Sequence, residues 1–322
     1  MSKSSTGTGS KQRVVFLHRR GHVSSGAKIM RCDQLSQICA RHLGNAYDFS
    51  VQSQSPMRDG DMLRQSVEDL QGAIVILLKG VAKLFGPEGM EMLHDKARGI
   101  CIDYVDATVA ESFSPFADVH IGASHAGCAI LENRLGKSDR VVGRPEVALL
   151  THHADPRLDR YDMQELHSLR TVYMGHPQNL FLPEAAARQV SLLNYFDDSS
   201  IGDVFSALCC FNMHYCVRPP QRPALARNMA KPFTKGFNAA ALGANVMTTR
   251  DTADAEHYLG SDYPFLLDDA EEATILAGLE KARELYDTPA WKEASERMAH
   301  VRELTSEAHI MGEMKAILSR FA

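Results

Sequence analysis

The chain has 322 residues, 44% of them apolar and 23% charged, with a formal net charge of −5. Those are globular values, and the length suits two domains of ordinary size. The acidic balance excludes a protein that works through a dominant basic face on nucleic acid.

Residues 1–12 are expected to form a disordered tail, because Met1 to Ser10 is rich in Ser, Thr and Gly and lacks the apolar core of a signal peptide. The longest apolar run, Ala73 to Leu78, stops at Lys79 and is too short to span a bilayer. The 7 Cys are odd in number and show no C-x-x-C spacing, and no N-x-[ST] sequon occurs. The chain therefore reads as a reduced, cytoplasmic protein.

"RVVFLH" (Arg13 to His18) is a buried-strand run, followed by the polar loop "RRGHVSSGAK" and a helix from about Lys28 to Leu43 with Gly44 at its C-cap. "YDFSVQS", "AIVILLK", "GICIDYV", "ADVHIGAS" and "VALLTHH" read as further strands with helical stretches between some of them. The segment Ala154 to Leu166 is rich in Asp and Arg, has no apolar period and reads as a linker. The alternation then restarts with "LRTVYMG", "QVSLLNYF", "NMHYCV", "GANVMTT" and a short "DYPFLL", separated by helices that include Lys235 to Leu242 and about Glu271 to Tyr286. One or two amphipathic helices end the chain. Strands alternating with helices imply parallel sheets covered on both faces. The expected fold class is α/β, two successive doubly wound, Rossmann-like units.

In such sheets ligands bind beyond the carboxyl ends of the strands. The stretch "KPFTKGFNAAALGANVMTTRD" fits that rule. Arg218 follows one strand and Lys235 opens the next helix, with Thr234 expected as its N-cap. Amides at a helix start bind phosphate oxygens, and Lys235 adds a full charge. A capped helix with solvated Lys and Arg is the competing reading. "GHVSSGAKI" nearly matches a phosphate-binding loop, but Ala27 precedes Lys28 and Ile29 stands where a Mg²⁺-binding hydroxyl belongs, which excludes an ATPase. Ser24, Ser25, Gly26 and Lys28 remain candidates for a loop bordering a cleft, against a plain surface loop. His152 and His153 end the last strand of the first half, and His18 and His22 lie near the first loop. An imidazole there suits a general base, or is a histidine bonded to backbone. Asp103 and Asp106 in "IDYVDA" supply a base or cap the next helix. His153 and Asp106 are the candidate catalytic pair.

The stretch "YCVRPP…KPFTKGFNAAALGANVMTTRDTADAEHYLGSDYPFLLDDAEEATILAGLEKAREL" resembles the C-terminal half of GT-B-type glycosyltransferases, where a strand-Arg, a K-P-x-T-K helix start and the following strand build a nucleotide-sugar donor site. "LRTVYMGHPQN" resembles the first strand of that half, and "VVFLHRRGHVSSGAKIMRCDQLSQICARHLG" the opening of the first half. The chain departs from the best-known retaining branch in that no E-x7-E pair spans Lys231 to Asp251, where Asn238 and Ala239 occupy the helix body instead. The resemblance implies an acceptor-side domain over 13–160, a donor domain over 161–305 and a last helix, 306–322, that crosses back to the first domain. It implies donor or phosphate contacts from Arg218, Thr234, Lys235, Asn238 and Glu256. It also implies sugar transfer from a nucleotide-sugar to a glycan, lipid-linked or protein acceptor, in bacterial glycan or polysaccharide synthesis. No cofactor besides that donor substrate and no metal are expected, since this family generally uses Lys, Arg and helix dipoles. Peripheral membrane association is compatible with it. A nucleotide-sugar epimerase of the same fold and a non-catalytic binding subunit are the alternatives.

Overall fold

The computed structural model describes residues 11–21, 25–57, 59–138, 141–194, 200–220 and 227–322. Ser24, His22 and the first ten residues of the expected tail lie outside it. Gln12, placed in the tail by sequence, opens the first strand.

The first half is a six-stranded parallel sheet in the order β2-β1-β3-β4-β5-β6. Its strands are β1 (Gln12–Arg19), β2 (Tyr47–Gln54), β3 (Ile74–Leu78), β4 (Gly99–Asp103), β5 (Val119–Gly122) and β6 (Glu146–Leu149). Every residue of β3 and β4 is buried, as strands covered on both faces require. Edge strand β2 instead alternates half-buried Tyr47, Phe49 and Val51 with exposed Asp48 and Ser50. The first helical stretch runs over residues 26–43. It begins as α1 (Gly26–Lys28), continues as a π-helical segment (Ile29–Gln34) and ends as α2 (Leu35–Leu43). The π segment was invisible to a pattern search and often marks functional sites. Helices α3 (Gly60–Asp69), α4 (Ala82–Lys96), α5 (Val109–Ser112) and α6 (His125–Leu135) complete this half. Helix α4 is kinked where Gly86 (φ 67°) precedes Pro87.

The second half is a five-stranded parallel sheet in the order β11-β10-β9-β7-β8. Its strands are β7 (Thr171–Gly175), β8 (Val190–Asn194), β9 (Met213–Tyr215), β10 (Asn245–Thr249) and β11 (Leu266–Leu267). Around it lie α7 (Ile201–Leu208), α8 (Thr234–Leu242), α9 (Ala255–Leu259), α10 (Glu272–Leu285) and α11 (Pro289–Leu304). The connecting segment is less open than its composition suggests. A 3-10 turn at Pro156–Arg160 buries Leu158 fully, against Val172, Phe205 and Leu208 of the second half.

The last helix, α12 (Glu307–Leu318), returns to the first half. Ile310, Met314 and Ile317 enter its core. Glu313 accepts from the backbone N and the hydroxyl of Thr151 at 2.7 and 2.9 Å. Phe321 covers Gly99, where any Cβ would meet its ring at 2.1 Å.

Candidate active site

In the first sheet the strand order reverses between β1 and β3, and in the second between β7 and β9. Ligands of open α/β sheets sit at such switch points. Here both open onto one cleft of about 520 Å³, which residues of both halves line. That size suits a small-molecule site, typically about 300–1,000 Å³.

One side of the cleft floor is built from α8. The N-cap position of α8 is Phe233 and no side chain caps it, so Thr234 is the first helical residue rather than the cap expected from sequence. Phe233 instead fills the core and stacks on Tyr258. The first-turn amides of α8 therefore lack acceptors, as helix geometry dictates. Lys235 lies beside them. Its Nζ donates to Met174 O at 2.6 Å and sits 3.6 Å from the centroid of the Tyr173 ring. Burial pushes its pKa down to about 7, and the nearby cations Arg218 and Lys231 push the same way. Arg218 Nη2 donates to Pro232 O at 3.3 Å, and Lys231 Nζ to Asn179 Oδ1 at 3.1 Å. Burial lowers both of their pKa values as well. Among the described residues, no carboxylate pairs with any of these three cations.

The opposite wall is the reverse. Lys79, just past β3, is ion-paired with Asp106, and both line the cleft. Asp106 reaches that position through Val105, whose φ of 53° is rare and strained for a β-branched residue. Asp103, the other sequence candidate, does not line the cleft. It is 1% exposed and bonded at 2.7 Å to Arg31 of the π segment, itself fully buried. Arg31 also donates to the carbonyls of Leu150 and Thr151 past the end of β6, so it fixes three elements around the cleft.

The two histidines after β6 separate. His152 lines the cleft and His153 does not. Nδ1 of His152 donates to His153 O at 3.0 Å, which leaves Nε2 as an acceptor. Burial lowers the His152 pKa to about 4, so the ring is neutral at pH 7. His153, the histidine chosen from sequence, is 2% exposed and held well below the ordinary imidazole pKa by burial. Its Nε2 donates to Gln34 Oε1 at 3.1 Å. Its place is in the joint between the halves, which corrects its candidacy as the base. In that joint Gln34 Nε2 donates to Asp155 Oδ1 at 3.0 Å, and Asp155 N donates to Asn238 Oδ1 at 3.0 Å. Asn238 thus lines the cleft while its carbonyl is spent tying α8 to the connecting segment.

The remaining candidates divide likewise. Ser25 and Gly26 line the cleft, and the Ser25 hydroxyl caps its helix by accepting from Lys28 N. Lys28 points to Asp33 at 2.6 Å and is not part of the cleft wall. Glu256 is exposed, pairs with Arg250 at 3.0 Å and is also off the wall. Sequence reading named His152 beside His153 but chose His153, and it missed Lys79, Lys231 and Tyr173. Lys79 follows a strand, so the strand-end rule held a signal for it. Among the described residues, no group of three or more His, Cys, Asp or Glu side chains is placed to hold a metal ion.

A second groove, of about 600 Å³, lies behind the joint. It is not at the strand ends, and its Arg41 and Arg157 are already paired with Glu307 and Asp155. The cleft is the better site.

No protein-family model and no curated protein sequence matches the chain. Solved structures do match in shape. HepE of Anabaena, in complex with UDP, superposes with a TM-score of 0.64 at 12% identity, covering 96% of this chain and 100% of that one. Sucrose-phosphate synthase from Thermosynechococcus elongatus gives 0.61 at 13%, covering 97% and 100%. A chain of the GtfA/B complex gives 0.51 at 14%, covering 81% of this chain, which spans 60% of that one. The two parallel sheets facing a cleft are the GT-B fold. Among the described residues, no helix is long and apolar enough to cross a membrane.

Proposed function

We propose that the chain transfers a sugar from a nucleotide-activated donor to an acceptor hydroxyl. The observation that carries this reading is the trio Arg218, Lys231 and Lys235, which have no carboxylate partners among the described residues and lie beside the uncapped start of α8 at a switch point. Cations held out of water against carbonyls alone are costly unless an anion completes them. A diphosphate does so, and its charge grows as the sugar departs. Donors aimed at that growing charge stabilise the transition state more than the ground state. HepE has been solved with UDP and with UDP-glucose, which supports a uridine nucleotide as the first donor to try.

In this reading the acceptor lies against the first half. Asp106 takes the proton of its hydroxyl, and Lys79, its ion-pair partner, orients that carboxylate. Neutral His152 offers Nε2 to a sugar hydroxyl. The leaving charge is met by side chains and amides, so the reaction is proposed to survive chelators.

Titration calorimetry with a panel of nucleoside diphosphates tests the site, and donor hydrolysis tests the chemistry. Binding of one diphosphate, lost in Lys235→Ala, is the expected result. A folded protein that binds none of them would overturn the proposal.

A further inference from the structure

Three consecutive residues of β7 converge on one ammonium group. Tyr173 and Gly175 are two apart on a strand and so face the same side of the sheet. The Lys235 side chain arrives on that side from α8. Its Nζ lies 3.6 Å from the Tyr173 ring centroid and 2.6 Å from the carbonyl of the intervening Met174. Gly175 contributes empty volume: a Cβ there would come within 2.5 Å of the same Nζ. Its φ of 143° is also one that L side chains rarely adopt. The ring is held rigidly. Tyr173 is fully buried and its hydroxyl donates to His176 O at 2.7 Å.

We propose that Tyr173 is a positioning residue for the transfer reaction: its ring, with the space left by Gly175, seats the Lys235 ammonium at the cleft floor before a phosphate arrives. This rests on the reading of the cleft as a nucleoside diphosphate site. A cation is attracted to the face of an aromatic ring, more so when desolvated. Burial, Arg218 and Lys231 disfavour the Lys235 ammonium and no carboxylate among the described residues pairs with it, while the ring face and the Met174 carbonyl lie against its Nζ and favour the charged form. A preset ammonium needs no reorganisation when the phosphate comes.

The test reads Lys235 directly. Residue-resolved labelling with an amine-reactive reagent, followed across pH by mass spectrometry in nucleotide-free protein, gives its titration midpoint, since the neutral amine reacts. UDP affinity at pH 7 is measured in parallel. Tyr173→Met, which fills the space without a ring, is expected to lower the midpoint by about one pH unit and to weaken UDP binding about tenfold. Tyr173→Phe keeps the ring and should keep both values within about twofold of the parent. Gly175→Ala pushes a methyl into the seat and should weaken UDP binding as Tyr173→Met does. It decides the matter should Tyr173→Met fail to fold. A folded Tyr173→Met with the parent midpoint and parent affinity overturns the seat and leaves the nucleotide reading standing. A midpoint that moves in a protein binding no nucleoside diphosphate overturns the nucleotide reading and keeps the ring as the seat.

Discussion

The two walls of the cleft are built from the same kind of unit and treat charge in opposite ways. On the first-half wall Lys79 is paired with Asp106, and behind that wall Arg31 is paired with Asp103 and Lys28 with Asp33. On the second-half wall Arg218, Lys231 and Lys235 rest on a backbone carbonyl, a side-chain amide and a backbone carbonyl respectively. A paired charge is a finished structural element. A cation held by neutral acceptors is unfinished, and depressed pKa values are the electrostatic sign of it. In the proposed reading the buried Arg31–Asp103 pair is structural and the three cations without carboxylate partners are the ones a ligand would complete.

Breaking a finished pair should give the largest effect. Arg31→Ala leaves Asp103 buried without its partner and frees two carbonyls, so stability should fall by about 3–5 kcal/mol in urea or thermal unfolding. A loss below about 1 kcal/mol would mean that the pair is solvated and the contrast between walls is overdrawn. Asp106→Asn is expected to reduce turnover by about a hundred- to ten-thousandfold, the range for losing a general base. It should leave nucleotide affinity unchanged, because Asp106 stands on the other wall. Equal losses in both readouts would place Asp106 among the donor contacts.

Lys235→Ala should cost roughly ten- to a hundredfold in nucleoside diphosphate affinity, the scale of one charge-assisted contact. Its effect on stability has the opposite sign. The folded pKa, about 7, lies below the ordinary 10.5, so the folded protein carries a penalty that is complete below about pH 7 and is relieved as pH rises towards 10.5. Removing Lys235 should therefore stabilise the fold most at acidic pH and least near pH 10. Phosphate favours the ammonium form, so binding should take up a proton, and affinity should weaken as pH rises above 7. Calorimetry in two buffers of different ionisation enthalpy measures that uptake directly.

The same contrast explains what could be read from the sequence. Each of the eleven strands among the described residues follows an apolar or alternating run, because burial on one or both faces leaves that mark along the chain. The place of Arg218 and Lys235 on the cleft wall was legible because one follows a strand and the other opens a helix. What escaped depended on which residue turns which way. His152 and His153 are adjacent, and only the fold sends one to the cleft and the other to Gln34. Thr234 has the composition of a cap, but the need to bury Phe233 moved the helix start by one residue. Glu256 is taken up by Arg250, a neighbour six positions away that no helix-start rule points to.

One carboxylate mirrors the lone cations, and it gives the smallest effect. Asp254 belongs to the second half, yet its side chain accepts from the backbone N of His125 and Ala126 at 2.6 and 2.9 Å, at the start of α6 in the first half. Its own φ of 62° is one that Asp tolerates better than most residues. The carboxylate thus answers the positive end of a helix across the joint, where the cations answer carbonyls within one half. Asp254→Asn keeps the shape and the tolerance for that φ but loses the charge, so the cost should be about 0.3–1 kcal/mol and should shrink as salt is added. Asp254→Ala loses the acceptors too and should cost about 1 kcal/mol, the ordinary loss of a helix cap. Chemical denaturation of both variants at low and high salt separates charge from hydrogen bonding. If Asn costs as much as Ala at every salt concentration, the charge contributes nothing and the two halves are joined there by geometry alone.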